Sequence, residues 1–175
     1  MLDSLITSKT RIKLLLKFFL NTDTKGYLNS LAKEFGESTN AVRLELNRLS
    51  KAGLLEADAD GRTKVYRANK KNPLFPEINT LVRKYLGIDI VEEVLNKLGN
   101  VEAAYITGDY ARGADSGVID LVIVGDINRN YLFQLIDITE ENIKRKIRPL
   151  ILSSEEFAEL KEKLKLNKAL LIWQK

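Results

Sequence analysis

Apolar residues recur at helical spacing through most of the first half of the chain, then alternate at strand spacing. In "SKTRIKLLLKFFLNT", Ile12, Leu15, Leu16 and Phe19 mark one face of an amphipathic helix. "GYLNSLAKEFGES" gives a short second helix with Leu28, Leu31, Ala32 and Phe35 inward and Gly36 ending it. "STNAVRLELNRLSKAGLL" gives a third, capped by Ser38 or Thr39, with Val42, Leu46 and Leu49 as its apolar line and Gly53 as its stop. "LLEADADGRTKVYRAN" then alternates on either side of Asp60-Gly61, the pattern of a β-hairpin.

A junction follows. "NKKNPLFPEIN" contains two of the three prolines, and two helical patterns come after it, "PEINTLVRKYLG" and "IVEEVLNKLG". The second half alternates element types. Strands are expected at about 101–107 and 119–125, joined by a glycine-bounded turn. An amphipathic segment, "NRNYLFQLIDITEENIKRK", leads to a third strand, "IRPLILS". Next is a helix started by Ser153 or Ser154 with acids in its first turn. The apolar tail "NKALLIWQK" reads as a strand or a last helical turn. The pattern predicts residues 1–74 as a first domain, 75–98 as a helical connector suited to dimerisation, and 99–175 as a second domain, with the boundary near Gly87.

Charge separates the halves as well. Residues 1–87 carry 16 Lys and Arg against 9 Asp and Glu, whereas residues 88–175 carry 12 against 15. A basic unit joined to a mildly acidic one implies different partners for each. The chain has no cysteine, which excludes disulfides and thiolate metal sites and fits a cytoplasmic protein. It has no histidine, so Ser-His-Asp catalysis and histidine-ligated metals are excluded too. Any catalysis would rest on carboxylates, Lys, Ser, Thr or Tyr with a hard cation such as magnesium. The most apolar early run, "IKLLLKFFL", is too short for a bilayer and is broken by Lys13 and Lys17, so no membrane partner is expected.

Two constellations carry candidate chemistry. On the third helix, Asn40, Arg43 and Asn47 stand opposite the apolar line. Arg and Asn make bidentate contacts with guanine and adenine edges in the major groove. Thr39 at the helix start is placed to hold a phosphate. Arg62, Lys64 and Arg67 lie at or just past the hairpin tip, where backbone phosphate would be met. The segment "STNAVRLELNRLSKAGLLEADADGRTKVYRA" resembles the ArsR-like winged helix-turn-helix regulators over roughly residues 8–70. That resemblance implies an α-helical DNA-binding domain with a β-hairpin wing, double-stranded DNA as partner and a homodimer on inverted repeats. The metal sensors of that family use Cys and His, which this chain lacks.

The second constellation is "GDYARGADSGVIDLVIVG". It resembles the signature of minimal nucleotidyltransferases, which implies an α/β (α+β) domain with a small mixed sheet. In that family a glycine turn binds nucleotide phosphates and paired acids hold two metal ions. By position, Gly108, Arg112 and Gly113 match the turn, and Asp120 matches the second acid of the pair. Asp109 replaces the family serine, Val118 stands where the first acid belongs, and the third strand offers Lys146 or Arg148 in place of the third acid. Asp115, in the loop, is the acid that could rotate in as a substitute. The expectation is a catalytically inactive domain without cofactor, whose Gly108, Asp109, Arg112, Gly113 and Asp120 bind a small anion or nucleotide, or which serves dimerisation. The chain reads as a sequence-specific transcriptional regulator. The alternatives are an active magnesium-dependent nucleotidyltransferase targeted by its winged helix, and a winged-helix module that binds proteins.

Overall fold

A computed structural model describes residues 5–166 and 169–175. The chain divides into two compact units, Met1–Tyr85 and Leu86–Lys175. Among the described residues, no helix is long and apolar enough to cross a membrane.

The first unit runs α1 (Lys9–Leu20), β1 (Gly26–Tyr27), α2 (Leu28–Phe35), α3 (Thr39–Lys51), β2 (Leu55–Asp60), β3 (Thr63–Ala68) and most of α4 (Phe75–Leu86). Its sheet has the order β1-β3-β2, antiparallel throughout. Helix α3 starts where Ser38 Oγ accepts the amide of Ala41, so of the two cap candidates Ser38 is the one used. Val42, Leu46 and Leu49 are buried, each removing apolar area worth about 1.5–3 kcal/mol from water. In α2, Leu31 and Ala32 are buried, whereas Leu28 and Phe35 are only half-covered.

Helix α1 departs from the expected amphipathic pattern. Leu14, Phe18 and Leu20 are buried along with Ile12, Leu15, Leu16 and Phe19, because α1 packs on α3 and β3 while Phe19 meets the Phe75 ring at 5.6 Å. Lys13 and Lys17 of this helix are accommodated by partners for their ammonium groups. Lys17 reaches Glu34 at 2.8 Å, and Lys13 donates to the Phe35 carbonyl and to Glu37, both at 2.8 Å. The hairpin turn also differs by one residue from Asp60-Gly61. Asp60 pairs with Thr63, so the turn is Gly61-Arg62, with Gly61 at φ 59°. Glycine in the first central position is what a two-residue hairpin of this hand requires.

The second unit contains α5 (Ile88–Leu98), β4 (Val101–Thr107), the short α6 (Gly108–Ala111), β5 (Val118–Gly125), α7 (Arg129–Ile143), β6 (Lys146–Leu152), α8 (Ser154–Leu160) and β7 (Leu170–Gln174). The tail is thus a strand. Its sheet is mixed, in the order β6-β5-β4-β7, with β5 and β6 parallel and joined through α7. Ser153 and Glu156 form a reciprocal capping box that starts α8. The Phe157 ring of α8 stacks on Tyr105 of β4 at 5.5 Å, over a cluster of Val122, Leu152 and Leu166. In α5, Ile88, Val91, Val94 and Leu95 are buried within the chain.

Candidate functional site

Helix α3 and the hairpin converge on one hollow of about 460 Å³ in the first unit. Arg43 and Asn47, one turn apart on α3, line one side, and Arg62 of the turn and Lys64 of β3 line the other, with Thr63 between them. All four cationic or amide side chains are exposed. Arg43 donates to Asn40 Oδ1 at 3.0 Å, which orients its guanidinium along the helix face. Thr39 and Asn40 occupy the exposed first turn of the same helix.

Arg67 stands apart from this group. Side chains alternate across a strand, so Arg67 lies on the face of β3 opposite Lys64 and Tyr66. There it contacts Glu56 at 2.9 Å and Asp58 at 3.0 Å. The hydrogen bond to Glu56, followed by the charge of Asp58, holds its guanidinium above its ordinary pKa. Tyr27 and Asn29, which the sequence pattern did not single out, also line the hollow. Tyr27 arrives there because the two-residue strand β1 pairs with β3, and its hydroxyl donates to Asp60 at 2.5 Å. That hydrogen bond raises the phenol pKa.

The frame behind the hollow is anchored by Glu45, which is buried on the inner side of α3. Its carboxylate accepts from Arg11 of α1 at 2.7 Å and from Arg48 at 2.9 Å. Burial pushes its pKa up, but the hydrogen bonds from Arg11, Ser8 and Arg48 prevail and hold it below the usual glutamate value. The Arg11–Glu45 pair ties α1 to the inner side of α3, opposite the face that carries Arg43 and Asn47.

In the second unit the glycine turn closes β4 against β5. Gly108 sits at φ 65°, and a Cβ there would lie 2.4 Å from Asp120 Oδ2, so a side chain at this position would displace the carboxylate. Asp120 Oδ1 is 2.6 Å from the guanidinium of Arg148, its register partner on β6. Asp109 accepts from Arg112 one turn later, and Gly113 closes the turn by donating to the Tyr110 carbonyl at 2.9 Å. Asp115, the loop acid considered as a substitute, is already held by three donors. Its carboxylate accepts from the Tyr110 hydroxyl, from Arg145 at 2.6 Å and from the Gly117 amide at 3.2 Å. Burial raises its pKa, yet Arg145 and Tyr110 together hold it below the ordinary aspartate value. The Tyr110 phenol, desolvated and bonded to Asp115, is pushed far up.

Two magnesium ions need several hard oxygens at close range. Among the described residues no group of three or more His, Cys, Asp or Glu is placed to hold a metal ion. The acid that matches the pattern, Asp120, already has a cation on it. The donor set does not fit a two-metal site.

No protein-family model matches the chain, and no curated protein matches it significantly. Similar solved structures include reduced HlyU from Vibrio cholerae, at 17% identity over 47% of this chain and 79% of that one, with a TM-score of 0.37. A protein from Archaeoglobus fulgidus matches at 15% identity over 57% of this chain and 99% of its own, with a TM-score of 0.37. A Sulfolobus solfataricus protein provisionally assigned as a nucleotidyltransferase matches at 26% identity over 56% and 86%, also with a TM-score of 0.37. Scores this low do not define a family for the chain.

Proposed function

We propose that the first unit is a winged helix that binds double-stranded DNA and that the chain is a sequence-specific transcriptional regulator. Helix α3 enters the major groove, where Arg43 and Asn47 contact base edges, and the hairpin serves as the wing, with Arg62 and Lys64 on the phosphates. The observation that supports this reading is the shared hollow, in which Arg43, Asn47, Arg62 and Lys64 meet on one exposed surface. Thr39 and Asn40 add contacts at the helix start. Arg67 contributes less, because two carboxylates already match its charge. The basic balance of residues 1–87 agrees with a polyanionic partner. The regulator acts as a cytoplasmic homodimer, since a two-fold protein matches two half-sites.

The second unit, on this reading, has a nucleotidyltransferase-like fold without transfer activity and serves as a sensor domain. Its support is the Asp120–Arg148 pair, which puts a guanidinium where the chemistry needs a metal. Magnesium-dependent label transfer from a nucleoside triphosphate would contradict it.

The wing is tested by salt dependence. Removing one cation from a phosphate should reduce the slope of log K against log salt by about 0.9. Arg62→Ala and Lys64→Ala should each lower affinity for cognate and unrelated duplexes alike and flatten the slope by about one, read by fluorescence anisotropy. Unchanged slopes would remove the hairpin from the interface.

A further inference from the structure

Beside the Gly108 turn, within the second unit, lies an open hollow of about 390 Å³. Thr107 and the Asp120–Arg148 pair form its polar end. The remaining wall is aliphatic. Val122 and Leu166 are buried there, while Leu150 and Leu164 remain 41% and 39% exposed. An apolar wall with one small set of converging polar groups is the usual composition of a small-ligand site, and the volume lies in the usual range.

The ion pair limits what can bind. A simple anion would complement Arg148, whose side chain is 71% exposed, but would be repelled by Asp120 beside it. A simple cation would complement Asp120 but would be repelled by Arg148. A polyphosphate would face the Asp120 carboxylate. A ligand carrying a carboxylate and an ammonium on one carbon complements both groups of the pair. Its apolar body would then cover Leu150 and Leu164.

We propose that this hollow binds an aliphatic α-amino acid, with its carboxylate on the Arg148 guanidinium, its ammonium on the Asp120 carboxylate and its side chain against Val122, Leu150 and Leu164. The site rests on the sensor role proposed above and gives it chemical content. Its test uses no DNA, so failure here and failure of DNA binding are separate results.

The experiment is calorimetric titration of the full chain with L-leucine, with 4-methylpentanoate, which lacks the ammonium, and with 3-methylbutylamine, which lacks the carboxylate. Leucine should bind saturably, and each analogue should bind at least roughly tenfold more weakly, because each complements only one of the two protein charges and is repelled by the other. Asp120→Asn and Arg148→Met should each abolish leucine binding. Leu164→Asp, at an exposed position, should do the same while leaving circular dichroism and Trp173 fluorescence unchanged. The proposal is overturned if leucine shows no saturable binding, if either analogue binds as tightly, or if leucine binding survives Leu164→Asp.

Discussion

Arg43→Ala should weaken binding to the cognate duplex by about 1–3 kcal/mol, roughly 5- to 150-fold, and relax the preference at one base pair. Arg43 is on the exposed face of α3, is aligned by Asn40, and shares the hollow with Asn47 and the hairpin cations. The guanidinium offers two parallel donors to a guanine edge, and alanine offers none. Affinity for unrelated duplex should fall far less, because that binding rests on phosphate charge spread over several side chains. The measurement is a competition titration against duplexes varied one base pair at a time. Equal weakening for all sequences would make Arg43 a phosphate contact and take base reading away from this face. Because the side chain is exposed and its hydrogen bond goes to the equally exposed Asn40, stability should stay within about 0.5 kcal/mol of the parent.

Asp115→Ala should destabilise the second unit by about 2–4 kcal/mol. The variant removes the acceptor for Tyr110, Arg145 and the Gly117 amide at once. Arg145, with its side chain 13% exposed, then remains as a largely buried cation deprived of this carboxylate. Trp173, the single tryptophan, lies in β7 and donates to Asn96 of α5 at 2.8 Å, so its fluorescence reports urea unfolding of this unit. The pH dependence has a defined sign. A carboxylate whose folded pKa is depressed stabilises the protein fully above the unfolded value, near 4, and loses that contribution as pH falls through the folded value. Stability of the parent should therefore decline below about pH 4, and Asp115→Asn should flatten that decline. A midpoint unmoved by Asp115→Ala would show that the cluster contributes nothing.

Much of this arrangement is local and legible in the sequence. Ser38, the run Val42-Leu46-Leu49 and Gly53 specify α3 because cap, period and stop all act within one or two turns. The same locality explains why Arg43 and Asn47 can be named from spacing alone. The burial of every residue from Leu14 to Leu20 in α1 is not legible, since a helix covered on several sides obeys no single periodicity and Phe75, which covers Phe19, is distant in sequence. Strand β1 has only two residues and exists through pairing with β3, so no period reveals it. The turn shifts from Asp60-Gly61 to Gly61-Arg62 because register is fixed by the whole β2–β3 ladder, which puts Asp60 opposite Thr63.

In the second unit the sequence shows that cations replace an acid on β6, but leaves Lys146 and Arg148 as alternatives. Parallel register with β5 resolves this, since it sets Arg148 beside Asp120 and Lys146 beside Val118, with the Lys146 ammonium turned to Glu140. The locking of Asp115 depends on Arg145, thirty residues on, and on a tyrosine in α6, a helix too short to leave a pattern. Contacts at that separation are tertiary facts.

The central claim is that the first unit reads DNA sequence. Its most direct test is to titrate the full chain against labelled duplex from the region just upstream of its own gene, beside an unrelated duplex, at two salt concentrations. The account predicts tight binding to the upstream duplex and binding to the unrelated one that is weaker by at least about 10³-fold and falls steeply with salt. Equal, weak binding to both duplexes at both salt concentrations would contradict it.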